Sequence, residues 1–426
     1  MASRPNLEDE ITAGLSELRC LIADKATSSV AGWCSAYQIT NSSVGDEERR
    51  FRSPAKQIPF LLGVLLSTPE PQDQQQLTNE EWEKVKQVVE RLFHSYMLLY
   101  APAEGDLGPF APEWVRVREV AMLAFLHYFN NGLMASVEQI SERITRYCIP
   151  FDAEIEDTLG ITATHALAVI QGVTTSLQSS LDELQLSLGS KKRQEQDLLE
   201  KAARENWSNQ QFNAAVNEPT YRAVVEEFES KLDRVGKISR TDLSASFPEK
   251  GDVVWNLFSS ERGAGPAIRY PTERSIAELR PLIRLSASEA ILGTGNALYA
   301  ALLFVCEQTL NESLVRPKFL RLRDKVLERE VAEKIKPFLS AKAEVFPEAY
   351  ERPDRNFEHD LIIVDEGLCL VVEAKASPPE EPFRDPDKAF ARLRNAFRSD
   401  GGIQKGYDQA NQIVRRLRYQ IGRAHV

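Results

Sequence analysis

Three ionisable residues lie at the open end of a predicted β-hairpin near the C-terminus. Residues 357–364 and 368–375 form two apolar, β-branched runs joined by a short Asp-Glu-Gly turn, which is the pattern of an antiparallel hairpin. Asp360 opens the first run, while Glu373 and Lys375 close the second and share one face. Because one antiparallel strand starts beside the end of the other, we expect all three side chains to meet at one edge. Such a cluster is costly unless something binds there.

The elements around the hairpin place further polar residues near that edge. The sequence predicts a charged helix over residues 318–336, with Glu328 at the border of its apolar stripe. A short strand over 344–349 follows, and after the hairpin comes an Arg-rich insertion over 377–400 that turns helical at about residue 387. The apolar stripe of the first helix consists of Leu320, Leu327, Val331 and Ile335.

A last helix is predicted over about residues 402–418. Gln409 lies beside its apolar face, which places a polar side chain on the element that follows the hairpin. The apolar face itself consists of Ile403, Tyr407, Ala410, Val414 and Leu417. Tyr407 is therefore predicted as a core residue rather than a catalytic one.

This order of elements resembles the PD-(D/E)XK nucleases, which share a restriction-endonuclease-like core. A helix with Glu328, a strand, a strand with Asp360, a strand ending in Glu373-Ala374-Lys375 and a final helix follow one another over about residues 318–420. His359 departs from the motif, because proline precedes the aspartate in the family's name pattern. The resemblance covers about a quarter of the chain.

The resemblance implies a divalent cation, Mg²⁺ or Mn²⁺, and hydrolysis of phosphodiester bonds, with DNA as the substrate by analogy. Carboxylate and carbonyl oxygens suit these hard cations, and Lys375 would orient or help deprotonate the attacking water and contact the phosphate. The implied metal ligands are Asp360, Glu373, the main-chain carbonyl of Ala374 and Glu328. The implied catalytic residues are Asp360, Glu373, Lys375, Glu328 and Gln409.

Other interpretations of these residues remain open. Glu373 and Lys375 could form a cross-strand surface pair, Glu328 could be a helix-surface charge and Gln409 an ordinary polar flank. The domain could also be an inactive nuclease-like module that only binds nucleic acid or protein, although it retains Asp360, Glu373 and Lys375 together. A third possibility is a helical scaffold whose C-terminal part is unrelated to nucleases.

Residues 1–311 are predicted as an all-α region that recognises a partner, regulates the C-terminal part or mediates self-association. It is divided near residues 150–165 in one version of this prediction, and its longest helix spans about 164–206 with an almost heptad apolar seam. Thr78 and Glu81 form a capping-box pattern. Further helices are expected over 7–25, 79–100 and 113–129, and the apolar run 290–306 reads as a buried helix.

The fold class predicted for the whole chain is α+β: a large all-α N-terminal region followed by a truncated α/β restriction-endonuclease-like core of helix, three strands and helix. The domains are residues 1–311, residues 312–420 and a tail over 421–426. That tail resembles a translated sequencing adapter rather than native protein. The reading frame is therefore expected to be truncated, and the core to lack its final strand.

Composition excludes several classes of protein. With 42% hydrophobic and 27% charged residues, the chain can bury a core, and its apolar runs are too short or too polar for a membrane span. Five scattered cysteines show no zinc-ligand spacing. No secretory signal is evident, so a cytoplasmic location is expected. The net charge of −11 is carried by residues 1–311, whereas 312–426 are nearly neutral with Arg clusters, which is compatible with phosphate contacts.

Overall fold

The computed structural model of the chain describes residues 4–41, 51–99, 136–292, 296–350, 358–374, 388–398 and 402–424. The predicted helix over 113–129, residues 293–295 and Lys375 lie outside these ranges. The α+β class is confirmed, since the described residues form many helices and two small sheets.

A first helical layer is built from the N-terminal residues. Its helices pack through one hydrophobic cluster that includes Leu18, Leu65 and Val85, each fully buried. The predicted capping box is confirmed, because the Thr78 hydroxyl accepts from the Glu81 amide while the Glu81 carboxylate accepts from the Thr78 amide. The helices of this layer are α1 (Arg4–Ile22), α2 (Thr27–Asn41), α3 (Pro54–Leu66) and α4 (Asn79–Leu98).

A second helical layer follows in the chain and has its own hydrophobic cluster. The long predicted helix is confirmed as α7, and its glycine at 189 does not interrupt it. Most of its buried residues lie in its first third, although Leu184 and Ser187 are buried further along, and the helix also packs against α9. The helices are α5 (Val137–Arg143), α6 (Asp152–Leu159), α7 (Ala163–Glu205), α8 (Asn209–Val216), α9 (Pro219–Arg234), α10 (Arg240–Ser246), α11 (Lys250–Phe258) and α13 (Ala297–Glu312), whereas the short α12 (Ile276–Leu279) packs into the first cluster through Ala277. A π-helical turn (Ile144–Cys148) and a 3₁₀ turn (Ile149–Phe151) join α5 to α6.

A four-stranded sheet separates the two layers, so the prediction of an all-α region over residues 1–311 was wrong. Ile283 and Ile291 pack into the first cluster, whereas Leu282 and Leu292 pack into the second. The predicted buried helix over 290–306 is corrected in the same way, because its first residues belong to a strand. The strands are β1 (Lys237–Ser239), β2 (Ser259–Ser260), β3 (Leu282–Arg284) and β4 (Glu289–Leu292), in the order β1-β4-β3-β2.

The C-terminal part contains helix, three strands and helix in the predicted order, with one additional helix from the Arg-rich insertion. The strands form an antiparallel sheet in the order β5-β6-β7. The hairpin turn is Glu366-Gly367, whose φ values of 46° and 84° match a turn with two left-handed residues. The elements are α14 (Arg316–Ile335), β5 (Glu344–Tyr350), β6 (Glu358–Asp365), β7 (Leu368–Val372), α15 (Ala389–Arg398) and α16 (Ile403–Ala424). The restriction-endonuclease-like core itself remains a proposal.

Helix α14 packs on two sides, against the second helical layer and against the C-terminal sheet of β5, β6 and β7. Phe319 and Val326 belong to the second hydrophobic cluster, at 0% and 4% exposed. Arg146 of the π-helical turn forms an ion pair with Glu330 of α14. The opposite side contacts β5 and β6. The predicted stripe of Leu320, Leu327, Val331 and Ile335 is only half-buried, and it missed the deeply buried pair.

None of the helices in the described part of the chain is both long enough and apolar enough to cross a membrane.

Candidate functional site

A cleft lies between α14, the hairpin and α16. Its volume is about 560 Å³. It brings together four of the predicted site residues, which come from separate elements and are up to 81 positions apart in the sequence, from Glu328 to Gln409. The lining residues are Pro317, Leu320, Arg321, Asp324, Lys325, Glu328, Asp360, Glu373 and Gln409.

One face of α14 forms a wall of this cleft. Each of its six lining residues lies three or four positions from another one, which is the spacing of neighbours on a single helix face. Lys325 lies 3.7 Å from Glu328 and also forms an ion pair with Glu348 of β5. The carboxylate of Glu328, with 22% of its side chain exposed, is therefore held at the edge of the cleft. This is the position that the sequence predicts for it.

Asp360 is fixed by the neighbouring strand. Leu361 and Val372 form the last pair of the register between β6 and β7; Asp360 directly precedes this pair in β6, and Glu373 directly follows it in the chain. Beyond the last paired residue of β7, the amide N–H of Ala374 donates to Oδ2 of Asp360 at 2.6 Å. A backbone donor that holds one carboxylate oxygen restricts the rotation of that carboxylate.

Glu373 is held by a histidine that the sequence analysis treated only as a departure from the motif. Nδ1 of His359 lies 2.7 Å from Oε1 of Glu373, and the two side chains are 3% and 4% exposed. His359 lies on the core side of β6 with Leu361 and Ile363, all at 2% exposed or less. A buried carboxylate needs such a partner, because an uncompensated buried charge is strongly destabilising.

Gln409 lines the cleft from α16. Its side-chain oxygen Oε1 is buried and has no hydrogen-bond partner among the described residues. The predicted apolar face of this helix was wrong, since Ile403 and Tyr407 are 60% and 61% exposed while Ile413 is 8% exposed. Gly402 and Gly406 are also buried, so this helix turns the side that carries its glycines toward the protein. That rotation leaves Gln409 facing inward.

The oxygen donors of the cleft fit a hard divalent cation in kind. Among the lining residues that the structure describes, there are four carboxylates, of Asp324, Glu328, Asp360 and Glu373, and two cationic side chains, so their summed charge favours a cation. No group of three or more His, Cys, Asp or Glu residues in the described ranges is arranged to hold a metal ion. Mg²⁺ commonly binds through one or two carboxylates and keeps several waters. The residues therefore fit a site with two carboxylates better than a closed protein cage.

The sequence predicted part of this arrangement. Glu328, Asp360, Glu373 and Gln409 line one cleft, and Ala374 adjoins it through its hydrogen bond to Asp360. The proposed lysine, Lys375, lies outside the described residues. His359 and Arg321 were missed as site residues. The only sequence signals for them are the place of His359 directly before Asp360 and the spacing of Arg321 seven residues before Glu328.

Comparison with known proteins gives no further assignment: no family model, curated protein or solved structure matches this chain.

Proposed function

We propose that this protein is a divalent-metal-dependent nuclease of the PD-(D/E)XK type that hydrolyses phosphodiester bonds in DNA. The observation that supports this most directly is the single cleft that collects Glu328, Asp360, Glu373 and Gln409. These residues come from a helix, a strand, the position directly after the neighbouring strand and a final helix, in the order that the resemblance implies. A charged cluster on an ordinary surface would not require all four elements to converge.

Each residue of the site would have its own role in metal binding or hydrolysis. Asp360, Glu373 and the carbonyl of Ala374 would hold Mg²⁺ or Mn²⁺, with Glu328 at the edge of the site, directly or through water. The bound ion would lower the pKa of a water molecule and offset charge on the phosphate. Lys375 would orient that water and help to remove its proton. The water oxygen forms a bond to phosphorus, a phosphorus–oxygen bond of the DNA backbone breaks, and the leaving oxygen takes up a proton.

Arg321 is the residue of the cleft best placed to contact an anionic substrate. Of the two cationic side chains that line the cleft, Lys325 already pairs with Glu328 and Glu348. Arg321 is exposed and forms no ion pair with any residue that the structure describes. Guanidinium groups bind phosphates through two parallel hydrogen bonds. Arg321 therefore supports a substrate whose backbone carries phosphates.

Helix α15 adds basic residues close to the cleft. It packs against α16, which carries Gln409. Lys388, Arg394 and Arg398 are exposed at α15, on a chain whose overall charge is −11. A local basic surface on an acidic protein provides sequence-independent attraction for a phosphate backbone.

Nicking of supercoiled plasmid by the full chain in Mg²⁺ tests the proposal. We expect Lys375→Ala and Asp360→Asn each to lower the nicking rate by at least about 10²-fold, the lower end of what a positioned acid–base group contributes. Lys334→Ala is the matched control, since Lys334 is an exposed lysine of α14 that does not line the cleft. EDTA should abolish nicking by the wild-type protein.

Equal nicking by Lys375→Ala and the wild type would show that the site is misassigned. DNA binding without cleavage in either Mg²⁺ or Mn²⁺ would overturn the enzymatic proposal in favour of a binding module. Cleavage of an RNA duplex or hairpin, with plasmid left intact, would overturn the choice of DNA.

A further inference from the structure

The two central carboxylates of the cleft are held in different ways. Asp360 belongs to β6, and its Oδ2 accepts from the Ala374 amide. Glu373 comes after the last residue of β7, so ladder hydrogen bonds of the sheet do not fix its backbone. A contact with Nδ1 of His359, at 2.7 Å, restrains its carboxylate.

The His359–Glu373 contact is enclosed. Both side chains are less than 5% exposed. Removal of the histidine alone would leave a carboxylate in a site from which water is largely excluded, so the pair is expected to stay together in the folded protein. The imidazole is further confined because His359 lies on the core side of β6 with Leu361 and Ile363 and is 2% exposed.

This geometry assigns distinct tasks to the two oxygens of Glu373. When Glu373 is ionised, the Nδ1–H of His359 donates to Oε1. A cation bound by both oxygens would compete with that hydrogen bond, whereas Oε2 can serve as a ligand without breaking it. Partners that orient a ligating carboxylate typically contribute about 10- to 100-fold in metal affinity.

We propose that His359 is a positioning residue, which holds Glu373 so that a single oxygen, Oε2, is presented to a divalent cation in the cleft. This inference rests on the proposed function, because it concerns the same cation. His359 contacts neither the substrate nor the ion in this role. Its side chain restrains Glu373 at a position where β7 has already ended, after Val372.

Binding of Mn²⁺ to the full chain, followed by the electron paramagnetic resonance signal of free Mn²⁺, tests this role without relying on activity. We expect His359→Leu to weaken Mn²⁺ binding by about 10- to 100-fold. His359→Asn should stay within about threefold of the wild type, because its amide nitrogen lies close to the place of Nδ1. His359→Gln moves the amide nitrogen toward the place of Nε2 and should weaken binding as the leucine does.

The comparison of asparagine with glutamine separates positioning from a structural role. A histidine that only fills space would give two amide variants with similar affinities, and that result would overturn the inference. The same comparison decides the matter if His359→Leu does not fold, which thermal melting would reveal. His165→Leu is the matched control, since His165 also uses Nδ1 for a hydrogen bond, to Thr162 at the exposed start of α7, outside the cleft.

Nicking assays add a second readout. In His359→Gln, the Mg²⁺ concentration for half-maximal nicking should rise by about 10- to 100-fold, while the rate at saturating Mg²⁺ largely recovers. If the wild type does not bind Mn²⁺, or if it binds Mn²⁺ no better than Glu373→Gln does, the proposed function and this inference are both overturned. Binding that depends on Glu373 but is the same in His359→Gln and the wild type would overturn this inference alone.

Discussion

The helical body and the C-terminal sheet bury their apolar residues to very different extents. In the body, residues 4–312, two hydrophobic clusters enclose large side chains such as Trp255, Phe258 and Phe51 at 2% exposed or less. In the C-terminal part, Leu368 and Leu370 of the edge strand β7 are 69% and 48% exposed. The body therefore has cores of its own, whereas the sheet has one well-covered strand, β6.

This difference shows where the rigidity of the cleft originates. Among the side chains that the structure describes in the sheet and α16, the buried apolar ones are Leu361, Ile363 and Ile413, whereas α14, which forms a wall of the cleft, contributes Phe319 to the core of the body. A ligand site that needs fixed geometry depends on well-packed supporting elements. We infer that the body holds α14 in place and that α14 in turn positions the sheet.

The largest expected effect comes from the shared helix. Phe319→Ala should lower the free energy of unfolding by about 3–5 kcal/mol, because it removes a fully buried ring from the second cluster. Phe338→Ala, at a ring that is 89% exposed, should change it by no more than about 0.5 kcal/mol. Urea denaturation of both variants measures the difference. Similar values for the two would mean that α14 is not anchored in the body.

A smaller effect is expected on the cleft side of the same helix. Arg321→Ala should weaken DNA binding by about 1–3 kcal/mol and reduce the dependence of log affinity on log salt concentration by about one. Arg329→Ala removes the same charge from an exposed position of α14 that does not line the cleft. Fluorescence anisotropy over a series of salt concentrations compares them. Equal losses would assign the effect to net charge rather than to the cleft.

The two regions should also differ in how their stability depends on pH. Burial raises the pKa of Glu307 in the body, although Arg143 lies 3.3 Å from it. In the sheet, hydrogen bonds from the Ser340 hydroxyl and amide lower the pKa of Asp365. A carboxyl group whose pKa is raised by folding contributes stability at pH values below its pKa in the unfolded chain, and this contribution is lost as pH rises. A carboxyl group whose pKa is lowered by folding contributes stability above its pKa in the unfolded chain, and this contribution is lost as pH falls.

The free energy of unfolding of Glu307→Gln, relative to the wild type, should therefore increase as pH rises from acid to neutral. That of Asp365→Asn, relative to the wild type, should decrease over the same interval. Urea denaturation at a series of pH values measures both differences. A pair of variants that shifts in the same direction would show that the environments of these carboxylates are not opposite.

The smallest effect on stability is expected at the sheet edge. Leu370→Lys should leave the free energy of unfolding within about 0.5 kcal/mol of the wild type, because the side chain is already half-exposed. It should reduce self-association, since lysine on an edge strand blocks pairing between sheets. Light scattering and denaturation measure the two outcomes. Leu302→Lys, at 1% exposed in the body, should instead prevent folding.

Much of the C-terminal part could be predicted from the sequence because its signals are local. The Asp-Glu-Gly turn, the apolar β-branched run of β6 and the place of Glu328 at the border of an apolar stripe each depend on a few neighbouring residues. The four-stranded sheet could not be predicted in the same way. Its strands are two to four residues long. Both faces of β3 and β4 are buried, so no alternation of polar and apolar residues marks them.

The site also had features that no local pattern encodes. The contact between His359 and Glu373 depends on where the backbone of Glu373 goes after β7 has ended. The buried side of α16 includes Gly402 and Gly406, and an argument from apolar periodicity does not count glycines as core residues. Both features depend on how separate elements meet, and spacing within one element carries no information about that.

The double role of α14 bears on how this protein can change over evolutionary time. The C-terminal part, if moved to another chain, would bring Phe319 and Val326 with it, and these side chains would need a new hydrophobic cover. Exchange of the C-terminal part as an independent module is therefore disfavoured. Substitutions that repack the body around Phe319 can also tilt a wall of the cleft, so drift in the two parts of the gene is expected to be correlated.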